Sequence, residues 1–252
     1  MSEPEHDTHR RFSGLSRLYG NLAFDRIRLA HFVIVGVGGV GSWVAESLAR
    51  SGVGKLTLID MDHVSESNIN RQLHALTTTL GQSKVSAMAQ RIELINPTCQ
   101  VSLIDEFITP ENIDVLMPEM QDMLIDATDQ VSAKVALAKW AIRRHKPMVT
   151  IGAAGGKKHA QMVEMSDLVH ATHDPLLSQV RYQLRKESVI NSEKKDSGIH
   201  AVFSKEPIVR PKLDSIEASF SHLNCQGYGS LVTVTATFGL CAAGWALNHF
   251  SK

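Results

Sequence analysis

The sequence predicts an α/β fold of Rossmann-like type: a mostly parallel twisted sheet with helices on both faces, continued by mixed strands, a lid segment and a C-terminal helix. Three observations predict it. Apolar, β-branched runs recur between helical patterns from Phe32 onward. The first run opens into Gly36-Val37-Gly38-Gly39-Val40-Gly41. The second ends in Asp60, about 20 residues on, where dinucleotide folds place a ribose-binding carboxylate.

The elements follow in order. Residues His9–Ala30 carry Phe12, Leu15, Leu18, Leu22 and Ile27 among arginines, an amphipathic helical arm. Phe32–Val35 is an unbroken apolar strand, as a parallel strand buried on both faces requires, and a helix follows from about Ser42 to Arg50. Between them the glycines permit a sharp turn and let a phosphate approach the positive end of the helix; a tight turn with no ligand would use the same residues. Lys55–Ile59 is the second strand, and Ser83–Ile95 a helix with Val85, Met88, Ile92 and Ile95 on one face. Gln100–Ile104 and Met123–Ile125 are the third and fourth strands, the latter ending at Asp126, with Asp129 before a helix from Val131 to His145. A fifth strand, Pro147–Ile151, leads into Gly152-Ala153-Ala154-Gly155-Gly156, and a sixth spans Gln161–Ser166. Asp174-Pro175 starts a further helix, with proline in its first turn.

These elements predict one domain in four parts: a helical arm (1–30), a nucleotide-binding α/β core (31–180), a basic lid or crossover segment (181–227) and a C-terminal helix (228–252). The chain has 252 residues, 43% hydrophobic and 21% charged, enough for a sizeable core and far from a disordered composition. Net charge is zero, which excludes a uniformly basic nucleic-acid binder. The excess cations are local: residues 181–212 hold eight Lys and Arg against four Asp and Glu, including Lys194, Lys195, Arg210 and Lys212. Such a run suits a solvated loop or a grip on a phosphate backbone. Cys99, Cys225 and Cys241 cannot pair evenly and form no Cys-x-x-Cys, which points to a reducing compartment. The acidic N-terminus lacks a secretion pattern, so the expected location is cytoplasmic. Leu231–Phe250 is uncharged but carries Thr233, Thr235, Thr237, Asn248 and His249, a buried helix rather than a membrane span.

After Asp60 the chain reads Met61-Asp62-His63-Val64-Ser65-Glu66-Ser67-Asn68-Ile69-Asn70-Arg71-Gln72, then Gly81-Gln82-Ser83-Lys84. A nicotinamide cofactor has no use for these cations, whereas a triphosphate attacked at its α phosphate does. Lys84 falls in a first helical turn, where the dipole disfavours a cation unless an anion compensates; a solvated lysine is the plain alternative. Asp129, at the ligand-facing end of the fourth strand, could supply an oxygen to magnesium or cap the next helix. Cys225 sits in glycine-rich polar surroundings near a helix start, which favours a thiolate; a spectator or substrate-contacting thiol fits as well.

Gly-x-Gly-Gly-x-Gly at 36–41, Asp-x-Asp-x-Val at 60–64, Ser-Asn-x-x-Arg-Gln at 67–72, Lys84 and Asp-x-x-Asp at 126–129 together resemble the ubiquitin-activating-enzyme superfamily, with its molybdopterin and thiamine adenylyltransferases. Arg17-Leu18-Tyr19-Gly20, residues 152–156 and residues 232–239 resemble one branch, the tRNA threonylcarbamoyladenosine dehydratases. The resemblance implies ATP and Mg2+, a tRNA carrying threonylcarbamoyladenosine as substrate, and a homodimer with no membrane. It assigns Gly36, Gly38, Gly39, Gly41, Asp60, Asp62, Asn68, Gln72 and Asp126 to the nucleotide site. Arg71, Lys84, Asp129 and a partner's Arg17 are implied to be catalytic, with Asp129 on the metal and Cys225 an available thiol. A cysteine desulfurase or sulfur acceptor stays open as a further partner. Two rival functions stay open too. One is adenylylation of a sulfur-carrier protein, whose enzymes commonly hold a zinc on two Cys-x-x-Cys pairs that this chain lacks; the other is a non-catalytic sulfur-transfer scaffold.

Overall fold

Strand β1 (His31–Val35) is buried along its whole length, and its side chains alternate between two separate cores. Phe32 and Ile34 enter one core and Val33 and Val35 the other, as the two-residue period of a strand covered on both faces demands. A computed structural model describes residues 3–191, 196–209 and 228–251.

The arm forms two helices rather than one, α1 (Glu3–Tyr19) and α2 (Asn21–Leu29), broken at Gly20, whose φ of 81° leaves the helical region. The other strands are β2 (Lys55–Ile59), β3 (Gln100–Ile104), β4 (Met123–Asp126), β5 (Met148–Ile151), β6 (Val163–Asp167) and β7 (Ile199–Ser204). The remaining helices are α3 (Gly41–Arg50), α4 (Lys84–Ile95), the single turn α5 (Ile113–Leu116), α6 (Val131–Arg144), α7 (Pro175–Lys186) and α8 (Val232–Phe250). Sheet order is β3-β2-β1-β4-β5-β7-β6, parallel except for the β6–β7 pair. The chain runs outward from β1 through β2 to β3, then returns to β4 on the other side. This reversal opens a crevice at the carboxyl ends of β1 and β4, where open α/β sheets bind ligands.

Two boundaries depart from the sequence expectation. The basic segment expected over 181–227 is not a lid throughout: Arg181, Arg185 and Lys186 lie on α7, and β7 is an interior strand between β5 and β6. Its buried run is short and flanked by charges, so the charges dominate a reading of that stretch. The sixth strand begins later than expected, at Val163, because Ala160–Met162 form a 3-10 turn. Helix α8 packs on α3 and buries Val234, Phe238, Ala242, Ala246 and Leu247; among the described residues no helix is long and apolar enough to cross a membrane.

Candidate active site

The glycine turn leaves β1 with Gly36 at φ 87°, and a Cβ there would lie 2.8 Å from the Ala127 carbonyl oxygen. Gly41 is tighter still, since a Cβ would come within 1.8 Å of the Gly36 carbonyl oxygen. Any side chain at these two positions would push the turn off the sheet. Helix α3 starts with no side-chain cap, and its first turn opens on a cleft of about 390 Å3 that Gly38, Gly39 and Val40 line. Ser42 N and Trp43 N donate to Gly38 O and Val40 O, so it is the side-chain-free glycine turn that lets an anion approach the positive end of the helix.

Asp60, at the end of β2, ties the turn in place: its Oδ2 accepts from Val37 N at 2.6 Å and its Oδ1 from Asp62 N at 2.9 Å. Burial pushes the Asp60 carboxyl up, against the pull of the Lys84 charge and of those two amides. Lys84, buried at the first position of α4, donates to Asp62 Oδ2 at 2.6 Å. Two residues expected at the site therefore hold each other across the loop.

The loop between them is pinned from both sides. Asn68 accepts from Ser65 N at 3.1 Å, closing a 3-10 turn, and Trp43 Nε1 donates to the Arg71 carbonyl at 3.1 Å. Arg71 lays its stem against Gly39, with Cγ 3.2 Å from where a Cβ would stand, and donates to Ser67 O and Asn70 Oδ1. Gln72 is buried in the cleft wall, and its Oε1 has no hydrogen-bond partner. A buried acceptor left without a donor is costly unless a ligand supplies one.

Asp126, expected among the nucleotide-site residues as a support with the metal left to Asp129, is fully buried and does not line the cleft. Its Oδ1 accepts from Thr128 N and Oγ1 at 3.1 and 2.7 Å, and its Oδ2 from Thr150 Oγ1 and Lys134 Nζ at 2.6 and 3.0 Å. Lys134, equally buried, also donates to Ile151 O at 2.6 Å. The network locks the loop after β4, which carries Asp129. That carboxylate is exposed, lines the cleft and makes no hydrogen bond among the described residues; Gln130, not Asp129, is the N-cap residue of α6. Lys134 escaped the sequence reading because it sits mid-pattern in a helix, eight residues from its partner.

Gly152, Ala153, Ala154 and Gly155 line the opposite wall, as their small size suggests. Phe107 and Ile108, from a loop with no recognisable motif, add an apolar wall that sequence reasoning missed. Arg17 lies in the last turn of α1, exposed and outside its own chain's cleft. Lys194, Lys195, Arg210, Lys212 and Cys225 fall outside the described residues. Burial raises the other two thiols, Cys99 to about 12, so neither is a ready nucleophile.

Residues 11–252 match the ThiF family. The tRNA threonylcarbamoyladenosine dehydratase of Haemophilus influenzae is 42% identical over 244 residues, covering 96% of this chain and 94% of the relative. The tRNA threonylcarbamoyladenosine dehydratase of Escherichia coli is 41% identical over 247 residues, covering 94% and 92%. The crystal structure of the E. coli enzyme in complex with ATP matches this fold with a TM-score of 0.88 at 41% identity, over 96% of this chain and 94% of that one.

Proposed function

The chain belongs to the ThiF family, and we propose that it is an ATP-dependent tRNA threonylcarbamoyladenosine dehydratase. The observation that carries the reading is the complete set of Asp60, Arg71, Lys84 and Asp129 around one cleft, in a chain similar to such dehydratases over nearly its whole length.

The threonine carboxylate of the modified adenosine attacks the α phosphorus of ATP, and the bond to pyrophosphate breaks. A nitrogen of the same modification then attacks the activated carbonyl, loses its proton and closes a five-membered ring, while AMP leaves with the carboxylate oxygen. The water removed from the RNA is thus accounted for in AMP and pyrophosphate. No protein nucleophile is required, because the attacking nitrogen is tethered at high effective molarity.

The residues divide the work by charge. Asp60 holds the ribose, and Gln72, whose buried oxygen needs a donor, helps to orient the nucleotide with Asn68. Phe107 and Ile108 give the adenine an apolar wall. Arg71 and Lys84 hold the triphosphate, where fixed cations stabilise charge that develops during attack. Among the described residues no cluster of three His, Cys, Asp or Glu could hold a metal alone. Magnesium asks for less: one or two carboxylates, with phosphates and waters completing the shell. Asp129, exposed in the cleft with its lone pairs unspent, fits that demand. Bound there, the ion would neutralise the phosphate oxygens.

The same reading makes the enzyme a cytoplasmic homodimer. Leu18, Leu22 and Leu29 are 74%, 79% and 85% exposed on the arm that carries Arg17, an apolar surface suited to a second copy. Purified protein should convert ATP to AMP and pyrophosphate only with magnesium and modified tRNA, with the RNA lighter by one water. ADP as the main product, or an unchanged RNA mass, would refute the reading.

A further inference from the structure

A second cleft, of about 460 Å3, lies beside the first at the start of α7. The two are neighbours across the small-residue wall: Gly155 lines the first, and a Cβ on it would stand 3.4 Å from Tyr228 Cβ, which lines the second. Gly156 fixes the arrangement by donating to Gly229 O and accepting from Val209 N, both at 2.8 Å. Leu176 faces the first cleft, while Asp174, Pro175 and Arg181 of the same region face the second.

In this second cleft Arg181 keeps hydrogen-bond donors free, although the Asp174 charge acts on it. Asp174 is the only carboxylate among its described lining residues, and both oxygens accept from backbone amides: Oδ1 from Leu177 N at 2.9 Å and Oδ2 from Ala153 N at 2.8 Å. Arg181 forms no ion pair among the described residues, and its one hydrogen bond is a 3.4 Å contact to Leu168 O. A half-buried guanidinium with spare donors on a cleft has the geometry that a phosphate oxygen requires. Tyr228, 39% exposed, offers a ring beside the apolar Pro207 and Ile208. His173 stands at the rim on a left-handed backbone (φ 58°) that non-glycine residues rarely adopt. Exposed Tyr182, Arg185 and Lys186 continue a basic, aromatic face along α7. A cation for the backbone and a ring for the base are the two elements of single-stranded nucleic-acid binding.

We propose that this cleft holds a nucleotide flanking the modified adenosine, with its phosphate on Arg181 and its base on Tyr228. The inference rests on the proposed dehydration of tRNA and names how that substrate is held: the threonyl arm crosses the small-residue wall into the ATP cleft while the strand stays outside.

The test uses an anticodon stem-loop bearing threonylcarbamoyladenosine, with binding followed by fluorescence anisotropy and turnover by RNA mass. Arg181→Ala and Tyr228→Ala should each raise the RNA KM tenfold or more, with the ATP Kd within twofold of wild type as a check on the fold. Arg181→Ala should also reduce the salt slope of RNA binding by about one. Tyr228→Phe keeps the ring and should restore RNA affinity to within twofold. If wild type dehydrates the stem-loop while Arg181→Ala and Tyr228→Ala bind it normally, the cleft assignment alone is overturned. A loss in Tyr228→Phe equal to that in Tyr228→Ala would overturn the stacking. Failure of wild type to dehydrate any modified RNA would overturn the proposed function and this inference with it.

Discussion

At the floor of the first cleft Asp126 has no exposed surface and accepts from Thr128, Thr150 and Lys134, whereas Asp129, at the rim, is exposed and has no hydrogen bond among the described residues. Both come from one short Asp-x-x-Asp stretch. Their difference shows how a rigid site is built from like residues: floor groups spend their hydrogen-bonding capacity on neighbouring side chains and backbone, so that rim groups can keep theirs for a ligand.

Breaking the floor should have the largest effect. Lys134→Met leaves Asp126 buried without its cation and should cost about 3–5 kcal/mol in urea unfolding, since an orphaned buried charge is far worse than a lost surface pair. A cost under about 1 kcal/mol would mean that the network does not hold the floor.

Removing the buried cation beside the cleft should separate activity from stability. Lys84→Ala should lower turnover by about 10²–10³. Its partner Asp62 is half exposed, so the stability cost should be only about 1 kcal/mol. Equal damage to both would place Lys84 in the floor instead.

His74 sharpens the comparison through pH. It is buried, neither ring nitrogen has a partner, and its pKa is lowered to about 4, first by burial and then by the charges of Lys84 and Arg91. A histidine whose folded pKa lies below its unfolded 6.5 favours the neutral form, so its contribution is complete above pH 6.5 and is lost as pH falls toward 4. Over that window wild type should lose about 3 kcal/mol that His74→Leu does not. Parallel pH profiles for the two proteins would disprove this.

The smallest signal tests the arm. If Arg17 serves the partner's site, mixing Arg17→Ala with Asp129→Ala chains gives mixed dimers in which one site carries both lesions and the other none. Random exchange then restores roughly a quarter of wild-type activity. No recovery after verified subunit exchange would place Arg17 in its own chain's account.

What could be read from the sequence followed the same division. Strands β1 to β4, the glycine turn, Asp60 and the Asn68–Lys84 stretch were legible because backbone approach and phosphate charge restrict residue type locally. The Asp126–Lys134–Thr150 network was not: its members are ordinary residues joined only when β4, α6 and β5 pack, with Asp126 paired in register to Thr150. Strand β7 hid for a related reason, its buried run being outweighed by the charges around it. The break at Gly20 was hidden because the amphipathic period runs through it. Charged residues with a chemical task could be recognised one at a time, while their supports and the apolar wall of Phe107 and Ile108 needed the fold.

The most direct measurement is ATP–pyrophosphate exchange by wild-type protein with two carboxylate donors, threonylcarbamoylated tRNA and a sulfur-carrier protein with a C-terminal glycine, and with the same tRNA unmodified as the control. Exchange is expected with the modified tRNA alone, and to be abolished in Lys84→Ala. Exchange driven by the carrier protein, or none with the modified tRNA, would contradict the proposed function.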